Sequence, residues 1–249
     1  MEVGFKSDKG QRRQNNEDAC FILLADKVYV VADGVGGGNA GEIASRTAVS
    51  QIANYIVEHP IKETGDKYKI ASYFQNCLDK VNGHIFEMAN KYTANRGMAT
   101  TIVVVYAGRG KAYITNVGDS RAYLFRSGQL TQLTEDHTYV NTLVKAGVLT
   151  PEQAETDERK NVITKAMGAE PDVEPDFFQV DIAADDIIIM CTDGLYDEVS
   201  EGEIVEVLSE GRTMSETCSE LVRRANDHGG HDNITVISLR VTEEDIHEQ

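Results

Sequence analysis

The sequence predicts an α+β fold in which helices cover the outer faces of an antiparallel β-sandwich. Short runs of β-branched and apolar residues are joined by tight turns, which is typical of hairpins and therefore of antiparallel sheets. Two pairs of long segments with helical spacing of apolar residues interrupt these runs. Because no low-complexity tract, repeat or composition break marks a boundary, we expect a single domain over residues 1–241.

The individual elements can be placed along the chain from their periodicity. Strands are predicted over residues 2–7, 19–24, 28–33, 100–107, 111–117, 121–125, 129–133, 177–182, 186–192 and 233–241. Helices are predicted over about 41–57, 67–93, 200–209 and 213–227. Segment 136–172 is highly charged and has a helix-start signal at residues 150–153, which indicates a surface flap with a further short helix near 139–146. The acidic tail, 242–249, is expected to fray.

Composition limits the classes of partner. The 249 residues carry a formal net charge of −17. Since phosphate backbones and anionic lipids are held by Lys and Arg, this charge argues against a nucleic-acid or membrane partner. The sequence shows no signal-peptide pattern and no apolar run that could span a bilayer. With four scattered cysteines and no Cys-x-x-Cys pair, we expect a cytoplasmic protein with reduced thiols and no zinc site.

Carboxylates stand at the ends of several predicted strands. Asp33 and Asp193 each end a strand, Asp18 and Asp232 each precede one, and Asp119 lies in a turn. Since neighbouring antiparallel strands begin and end side by side, we expect these side chains to share one rim of the sandwich. Crowded carboxylates raise each other's pKa values unless cations lie between them, and an all-oxygen ligand set favours Mg²⁺ or Mn²⁺. A single Asp-Gly pair is more often a turn signal, but the whole set favours a metal site.

Five motifs in a fixed order extend this pattern over nearly the whole chain. They are Gly10-x-x-Arg13-x-x-Asn16-Glu17-Asp18, Val31-Ala-Asp33-Gly34-Val-Gly-Gly37, Gly118-Asp119-Ser120-Arg121-Ala122-Tyr123, Cys191-Thr-Asp193-Gly194-Leu195 and Asp232-Asn233-Ile-Thr-Val236. Together they resemble the metal-dependent protein phosphatases of type 2C in their compact bacterial form. The resemblance implies a four-layer α-β-β-α arrangement, with a sandwich flanked on both faces by helix pairs.

The resemblance also implies a metal centre. Two Mn²⁺ or Mg²⁺ ions would share the Asp33 carboxylate as a bridge. The Gly34 carbonyl would complete the shell of one ion, and Asp193 and Asp232 would ligate the other. The implied activity is hydrolysis of phosphoserine and phosphothreonine in proteins by a hydroxide that bridges the ions. By resemblance we expect a monomeric enzyme that acts on phosphorylated proteins and opposes a cognate serine/threonine kinase.

The remaining roles implied by the resemblance surround these ions. Glu17 and Asp18 would act largely through bound waters, and Asp119 with Asp193 would hold a third, more weakly bound ion. Arg13 would bind the substrate phosphate, to which a guanidinium can donate two parallel hydrogen bonds.

The sequence departs from the pattern of many relatives in one respect. Some members carry histidine, a candidate general acid, directly after the Asp-Gly pair or in the glycine loop, whereas this chain has Val35 and Asn39 there. A metal-bound water near Asp119 is our candidate for the proton donor to the leaving alkoxide.

Three other interpretations remain open from the sequence. Gly36-x-Gly38-x-x-Gly41 matches a dinucleotide-binding fingerprint, but such a unit should continue into a second parallel strand. Cys218 and Arg224 have the spacing of a thiol-based phosphatase, although they lie in a predicted helix. A catalytically silent member of the same fold could bind phosphoproteins as a regulatory module.

Several further polar residues have simpler expected roles. His137 introduces the flap and is expected to be structural. His228 and His231 are interpreted as loop residues rather than ligands. Arg121 is expected to pair with a carboxylate, and Arg12 to be a solvated surface charge.

Overall fold

The computed structural model of the chain describes residues 1–38, 40–62 and 65–247. Its strands, numbered in chain order, form two sheets in which every described pair is antiparallel. One sheet has the order β1 (Glu2–Asp8), β11 (Ile234–Arg240), β10 (Ile187–Cys191), β7 (Arg121–Arg126), β8 (Gln129–Gln132). The other has the order β2 (Asp18–Leu23), β3 (Val28–Val35), β5 (Ile102–Gly108), β6 (Lys111–Val117), β9 (Asp176–Asp181), with β4 (Ala99–Thr100) paired to the end of β3.

Helices cover both outer faces of this sandwich. The first pair, α1 (Ala40–Glu58) and α2 (Lys67–Lys91), packs on the sheet that contains β3. The other sheet is covered by α5 (Asp193–Tyr196), α6 (Glu201–Ser209) and α7 (Met214–Asp227). The predicted α+β fold with four layers is therefore confirmed, and the long helices end within about two residues of their predicted bounds.

Alternation along the strands separates the layers. In β3, Val30 packs with the residues of α1 and α2, whereas Val31 packs against the opposite sheet. In β10, Ile189 packs against α6 and α7, whereas Ile188 packs into the centre of the sandwich. Because successive side chains of a strand point to opposite faces, apolar residues at every position bury both faces of these central strands.

The segment predicted as a surface flap, 136–172, is only partly at the surface. It contains α3 (Tyr139–Lys145) and α4 (Pro151–Thr156), and no residue of α4 is buried. The prediction is wrong for its last part, because Met167 is fully buried and pairs with Thr100 of β4. The flap therefore returns into the core beside the end of β3.

The expectation that the acidic tail frays is also wrong for residues 242–247. Residues Glu243–His247 form a helix, α8. The Asp245 carboxylate accepts hydrogen bonds from the Thr242 amide at 2.9 Å and the Thr242 hydroxyl at 2.6 Å, and it lies 3.9 Å from Lys27 Nζ. These contacts satisfy a donor at the helix start, which is why the acidic sequence is ordered there.

The structure rejects the dinucleotide-binding alternative. The helix after the glycine loop, α1, is followed by α2 and not by a parallel strand. Asn39, within that loop, lies outside the described residues. Among the residues described, no helix combines the length and the apolar composition that a membrane crossing needs.

Candidate metal centre

Asp18 and Asp33 are cross-strand partners. β2 and β3 pair in a register that sets Asp18 opposite Asp33, and the pairing continues where the Gly34 amide donates to the Glu17 carbonyl at 3.1 Å. The expectation that strand ends bring these two carboxylates to one rim is confirmed. No ion pair joins either of them to a basic side chain in the described part of the chain.

Asp193 and Asp232 come together from the other sheet. β10 and β11 are neighbours, and the ladder extends to a bond from the Thr192 amide to the Thr235 carbonyl at 3.1 Å. Asp193 directly follows Thr192, and it begins the one-turn helix α5 instead of ending a strand as predicted. A Cβ added at Gly194 would lie 2.0 Å from the Asn233 carbonyl oxygen, so the segments that follow β10 and precede β11 are in close contact.

Thr192 connects the two halves of the site. Its hydroxyl donates to Asp18 Oδ2 at 2.9 Å, although Asp18 belongs to the opposite sheet. The Thr192 hydroxyl oxygen also accepts a hydrogen bond from the Thr235 amide at 3.0 Å. The two pairs of aspartates, one from each sheet, therefore face the same end of the sandwich.

Thr101 fixes the backbone of Asp33. The Asp33 amide donates to Thr101 Oγ1 at 3.0 Å, and the Asp33 carbonyl accepts from the Thr101 amide at 2.8 Å. Thr101 Oγ1 also lies 2.7 Å from the Ser120 hydroxyl, next to Asp119 in the turn between β6 and β7. One threonine thus ties Asp33 to the turn that carries Asp119.

Thr101 was not found from the sequence. It was placed inside one strand over 100–107, but in the structure it separates β4 from β5 because its hydrogen-bonding groups are used on Asp33. Gly118, with a φ of +105°, allows the turn between β6 and β7 to approach Thr101, because a Cβ at position 118 would lie 2.6 Å from the Thr101 side chain. The only sequence signal was a pair of threonines among valines and isoleucines.

Glu17 and Gly34 meet at the start of α1. A Cβ added at Gly41 would lie 2.5 Å from Glu17 Oε2 and 2.6 Å from the Gly34 carbonyl oxygen. These two oxygens therefore point to the same small space, which only glycine at position 41 leaves open. Both are hard donors of the kind that Mg²⁺ and Mn²⁺ prefer.

Burial and mutual repulsion raise the pKa values of the aspartates in the site. Burial, together with the charges of Asp232 and Glu17, raises the pKa of Asp18 to about 7, although hydrogen bonds from Thr235 and Thr192 oppose the shift. Burial followed by repulsion from Asp18 and Asp193 raises the pKa of Asp33 well above its ordinary value.

The pKa values of Asp193 and Asp119 are also raised. Burial and the nearby Asp119 carboxylate raise the pKa of Asp193, and burial with the Asp136 charge raises that of Asp119 to about 7. Asp18 Oδ1 and Asp193 Oδ1 are buried and have no hydrogen-bond partner among the described residues. A buried anionic oxygen without a partner is costly, so both atoms fit the ligands or near neighbours of a cation.

The donor set fits divalent ions of the hard class. Within the described ranges, no three acidic, histidine or cysteine side chains are already gathered as a complete ligand set. The oxygen donors of the site are of the kind that Mg²⁺ and Mn²⁺ prefer, and Mg²⁺ usually keeps several waters in its shell.

Arg13 lies at the outer edge of the centre. Its Nη2 atom donates to Asp232 Oδ2 at 2.6 Å, while about half of the Arg13 side chain is exposed. The preceding loop is held where the amides of Gln11 and Arg12 donate to the Gly230 carbonyl. The family resemblance implies that Arg13 binds a phosphate, and it gives no indication of the pairing with Asp232 that the structure shows.

Arg121 pairs with a carboxylate, as expected. Its guanidinium donates to Asp136 through Nε and Nη2, with a shortest distance of 2.6 Å, and lies 3.6 Å over the Tyr196 ring. The Tyr196 hydroxyl donates to the Asp119 carbonyl at 3.0 Å. This group supports the Asp119 turn from behind.

The histidines near the site have structural contacts. His137 Nδ1 accepts from the Gly118 amide at 3.0 Å, which confirms its structural role. His231 Nδ1 lies 2.6 Å from Glu198 Oε1, and His228 Nδ1 lies 2.7 Å from the Glu198 carbonyl. The loop interpretation of His228 and His231 agrees with these contacts.

Comparison with known proteins agrees with this geometry. Residues 8–235 match the family model described as protein phosphatase 2C. A serine/threonine phosphatase, stp, from Listeria innocua is 37% identical over 240 residues, which cover 95% of this chain and 94% of the relative.

Two solved structures extend the comparison to the fold. The Streptococcus agalactiae serine/threonine phosphatase is 34% identical, with a TM-score of 0.89, covering 96% of this chain and 99% of that one. The catalytic domain of the phosphatase PstP, solved in complex with two manganese ions, is 32% identical, with a TM-score of 0.84, covering 97% and 98% of the two chains. This chain therefore belongs to the protein phosphatase 2C family.

Proposed function

We propose that this chain removes phosphate from phosphoserine and phosphothreonine residues of proteins in a metal-dependent reaction. The observation that carries the proposal is the convergence of Asp18, Asp33, Asp119 and Asp193 at one end of the sandwich, where no described basic side chain forms an ion pair with any of them. Such a cluster is electrostatically unfavourable in the absence of cations, so it indicates a site that binds them. Relatives named serine/threonine phosphatases support the choice of substrate.

The proposed ligands follow the geometry of the rim. Asp33 with the Gly34 carbonyl on one side, and Asp193 with Asp232 on the other, would hold two Mn²⁺ or Mg²⁺ ions. Glu17 and Asp18 would orient waters in the shells of these ions. When bound, the ions would supply Lewis-acid activation of water and neutralise charge on the phosphoryl oxygens.

Asp119 has a separate proposed role. It stands on a turn that Thr101 and Tyr196 hold in place, and with Asp193 it would complete a third, weaker site. The Asp119 residue is itself only 5% exposed. We assign to Asp119 the orientation of a water that protonates the leaving alkoxide, since Val35 provides no titratable group beside Gly34.

Arg13 would bind the substrate phosphate. One of its nitrogens is used on Asp232, but a guanidinium has five N–H donors, so Arg13 can bind a phosphoryl oxygen while it remains beside Asp232. Its half-exposed position allows a phosphorylated side chain of a protein to reach it. The positive charge of Arg13 also offsets the net charge of −17, which would otherwise repel a dianion.

The proposal includes properties of the whole molecule. Residues 1–241 would act as one catalytic domain, as a monomer in the cytoplasm, and a cognate serine/threonine kinase would supply its substrates. Both sheets contribute ligands, which supports a single domain over the catalytic part. Measurement of molar mass in solution by light scattering tests the monomer, since a mass of twice 27.4 kDa would contradict it.

Activity measurements distinguish the enzyme from a silent binding module. We expect the purified protein to release phosphate from a phosphothreonine peptide only when Mn²⁺ or Mg²⁺ is added, and Asp193→Ala to abolish this release. Titration of each metal gives the preferred ion. Tight binding of the phosphopeptide with no release at any metal concentration would favour the regulatory module instead.

A further inference from the structure

A cavity of about 350 Å³ lies beside the strand that carries the proposed metal ligands. One wall consists of Val35 at the end of β3 and Ala99 of β4. The opposite wall consists of residues from 163 to 174, where the flap returns to the core. A volume of this order accommodates a side chain with part of its backbone.

The cavity is connected to the metal centre through the backbone. Gly34 pairs with Thr100, and Val35 pairs with Ala99. Thr100 in turn exchanges two backbone hydrogen bonds with Met167, at 2.8 and 3.0 Å. The cavity therefore begins one residue beyond the Gly34 carbonyl, which is itself a proposed metal ligand.

The lining of the cavity combines apolar residues with an excess of negative charge. The apolar part is contributed by Val35, Ala99, Ile163, Ala166 and Val173. The acidic wall consists of Glu170, Asp172 and Glu174, and none of their carboxylates forms an ion pair within residues 1–38, 40–62 and 65–247.

Lys165 offsets only part of the charge of the acidic wall. Among the lining residues that the structure describes it alone is basic, and its Nζ atom donates to the Glu174 carbonyl at 3.0 Å and lies 3.3 Å from Asp176 Oδ1. Its charge is therefore shared with Asp176, which lies outside the lining, and the three carboxylates of the acidic wall outnumber it.

The acidic wall is held rigidly by α2. Asn82, which is 1% exposed, donates from Nδ2 to the carbonyls of Glu170 and Pro171 at 3.0 Å each, and its Oδ1 accepts from the Gly168 amide at 2.7 Å. Gln75 adds a bond to the Val173 carbonyl at 3.3 Å. A pre-ordered wall loses little conformational entropy on binding, so it can contribute to specificity.

We propose that this cavity is a subsite for a lysine or arginine side chain that flanks the phosphorylated residue of the substrate. The methylene stem would pack on the apolar lining while the cationic head reaches the acidic wall, as long basic side chains commonly do at such boundaries. The subsite selects basic phosphopeptides over neutral or acidic ones. This inference rests on the proposed phosphatase function.

The test compares matched phosphothreonine peptides. A neutral parent peptide is compared with versions that carry one lysine at each position from −4 to +4, and kcat/KM is measured with Mn²⁺ for each. We expect at least one lysine position to raise kcat/KM by about two- to fivefold, which is the size expected for a partly exposed ion pair. The gain should shrink as salt is added, because screening weakens exposed charge pairs.

A triple variant tests whether the acidic wall causes the preference for lysine. Glu170→Gln, Asp172→Asn and Glu174→Gln together should reduce the lysine-to-neutral ratio of kcat/KM to about one. The matched control, with Glu58→Gln, Glu87→Gln and Glu244→Gln, removes three exposed charges elsewhere and should keep the ratio of the original protein. The use of a ratio cancels general effects of either variant on folding or on the chemical step.

The outcomes separate this inference from the function on which it rests. If the neutral peptide and nitrophenyl phosphate are hydrolysed but no lysine position matters, the subsite is wrong and the phosphatase function stands. If both triple variants lose the preference equally, it arises from the overall charge, and the subsite is again wrong. If no substrate is hydrolysed with either metal, the proposed function itself fails.

Discussion

Asp18 and Asp33 face each other across paired strands, and the Thr192 hydroxyl of the opposite sheet donates to Asp18. Within the part of the chain that the structure describes, the pair thus joins two features that rarely occur together in a stable core: buried carboxylates and no basic partner. Burial of an unpaired charge is unfavourable, so the centre is a place where the fold is less stable than it could be.

The metal-free protein should be more stable in mild acid than in base. The pKa of Asp18 and that of Asp119 are each raised to about 7 from an unfolded value of 3.8. The folded chain therefore keeps these protons up to near neutral pH and loses stability as pH rises through about 7. Between pH 6 and pH 8 we expect a loss on the order of 1–3 kcal/mol, measured by denaturant unfolding with a chelator present.

Divalent ions should counteract this pH dependence. Because Mn²⁺ competes with protons for the same carboxylates, its stabilising effect should be larger at pH 8 than at pH 6. The measurement is the shift in denaturant midpoint with Mn²⁺ at both values. A metal-free protein whose stability increases from pH 6 to pH 8 would contradict the assigned environment of these carboxyl groups.

Asp18→Asn should raise the stability of the metal-free protein and lower its activity. The amide removes one buried charge and can still accept from Thr192, so the metal-free stability at pH 8 should rise by about 1 kcal/mol. Turnover of a phosphopeptide should fall, and more Mn²⁺ should be required. Glu58→Gln, on an exposed position of α1, is the control and should change neither quantity. A less stable Asp18→Asn protein would argue that the charge itself supports the fold.

The sequence was informative where contacts are local. The pairing of Asp18 with Asp33 depends on a hairpin, so the spacing of the two strands was enough to predict it. Helix bounds followed from apolar spacing because α1, α2, α6 and α7 each bury one face. A Cβ at either Gly34 or Gly194 would meet a carbonyl oxygen at about 2 Å, a close approach that an Asp-Gly pair does not by itself predict because such pairs are more often turn signals.

The spacing of residues in the sequence did not predict the long-range contacts. Arg13 and Asp232 are 219 positions apart, and the contact depends on a loop that is anchored to Gly230. Thr192 reaches Asp18 across 174 positions because the two sheets stack. The family resemblance identified the charged residues but gave no indication of the threonines that position them, since a hydroxyl used in a hydrogen bond looks like any other strand residue.

Gly194→Ala should destabilise the protein through backbone contact. The added Cβ would lie 2.0 Å from the Asn233 carbonyl oxygen, so the segment before β11 must move. We expect a loss of about 1–3 kcal/mol in the free energy of unfolding together with reduced activity, because Asp232 moves with it. Gly202→Ala is the matched control, since its Cβ would meet nothing within 4 Å on α6. That change should be neutral or stabilise by up to about 1 kcal/mol.

Alkylation should leave the activity intact. Cys218 is fully buried in α7, its Sγ atom lies 3.0 Å from the Ser238 hydroxyl, and burial raises its thiol pKa to about 11. Since the thiolate is the reactive form, this cysteine cannot serve as a phosphatase nucleophile at neutral pH. Native protein treated with iodoacetamide should keep its phosphatase activity, whereas a chelator should abolish it. The reverse result would restore the thiol-based alternative.

Asp119→Ala should separate two classes of substrate. A serine or threonine alkoxide is a poor leaving group and depends on protonation, whereas nitrophenolate leaves readily without it. We therefore expect the variant to reduce kcat for a phosphopeptide by at least about tenfold more than kcat for nitrophenyl phosphate, if this carboxylate orients the proton-donating water. Ser120→Ala removes the neighbouring contact to Thr101 but keeps the carboxylate, and it should affect both substrates to the same degree. Equal losses with the two substrates in Asp119→Ala would show that Asp119 contributes to metal binding alone.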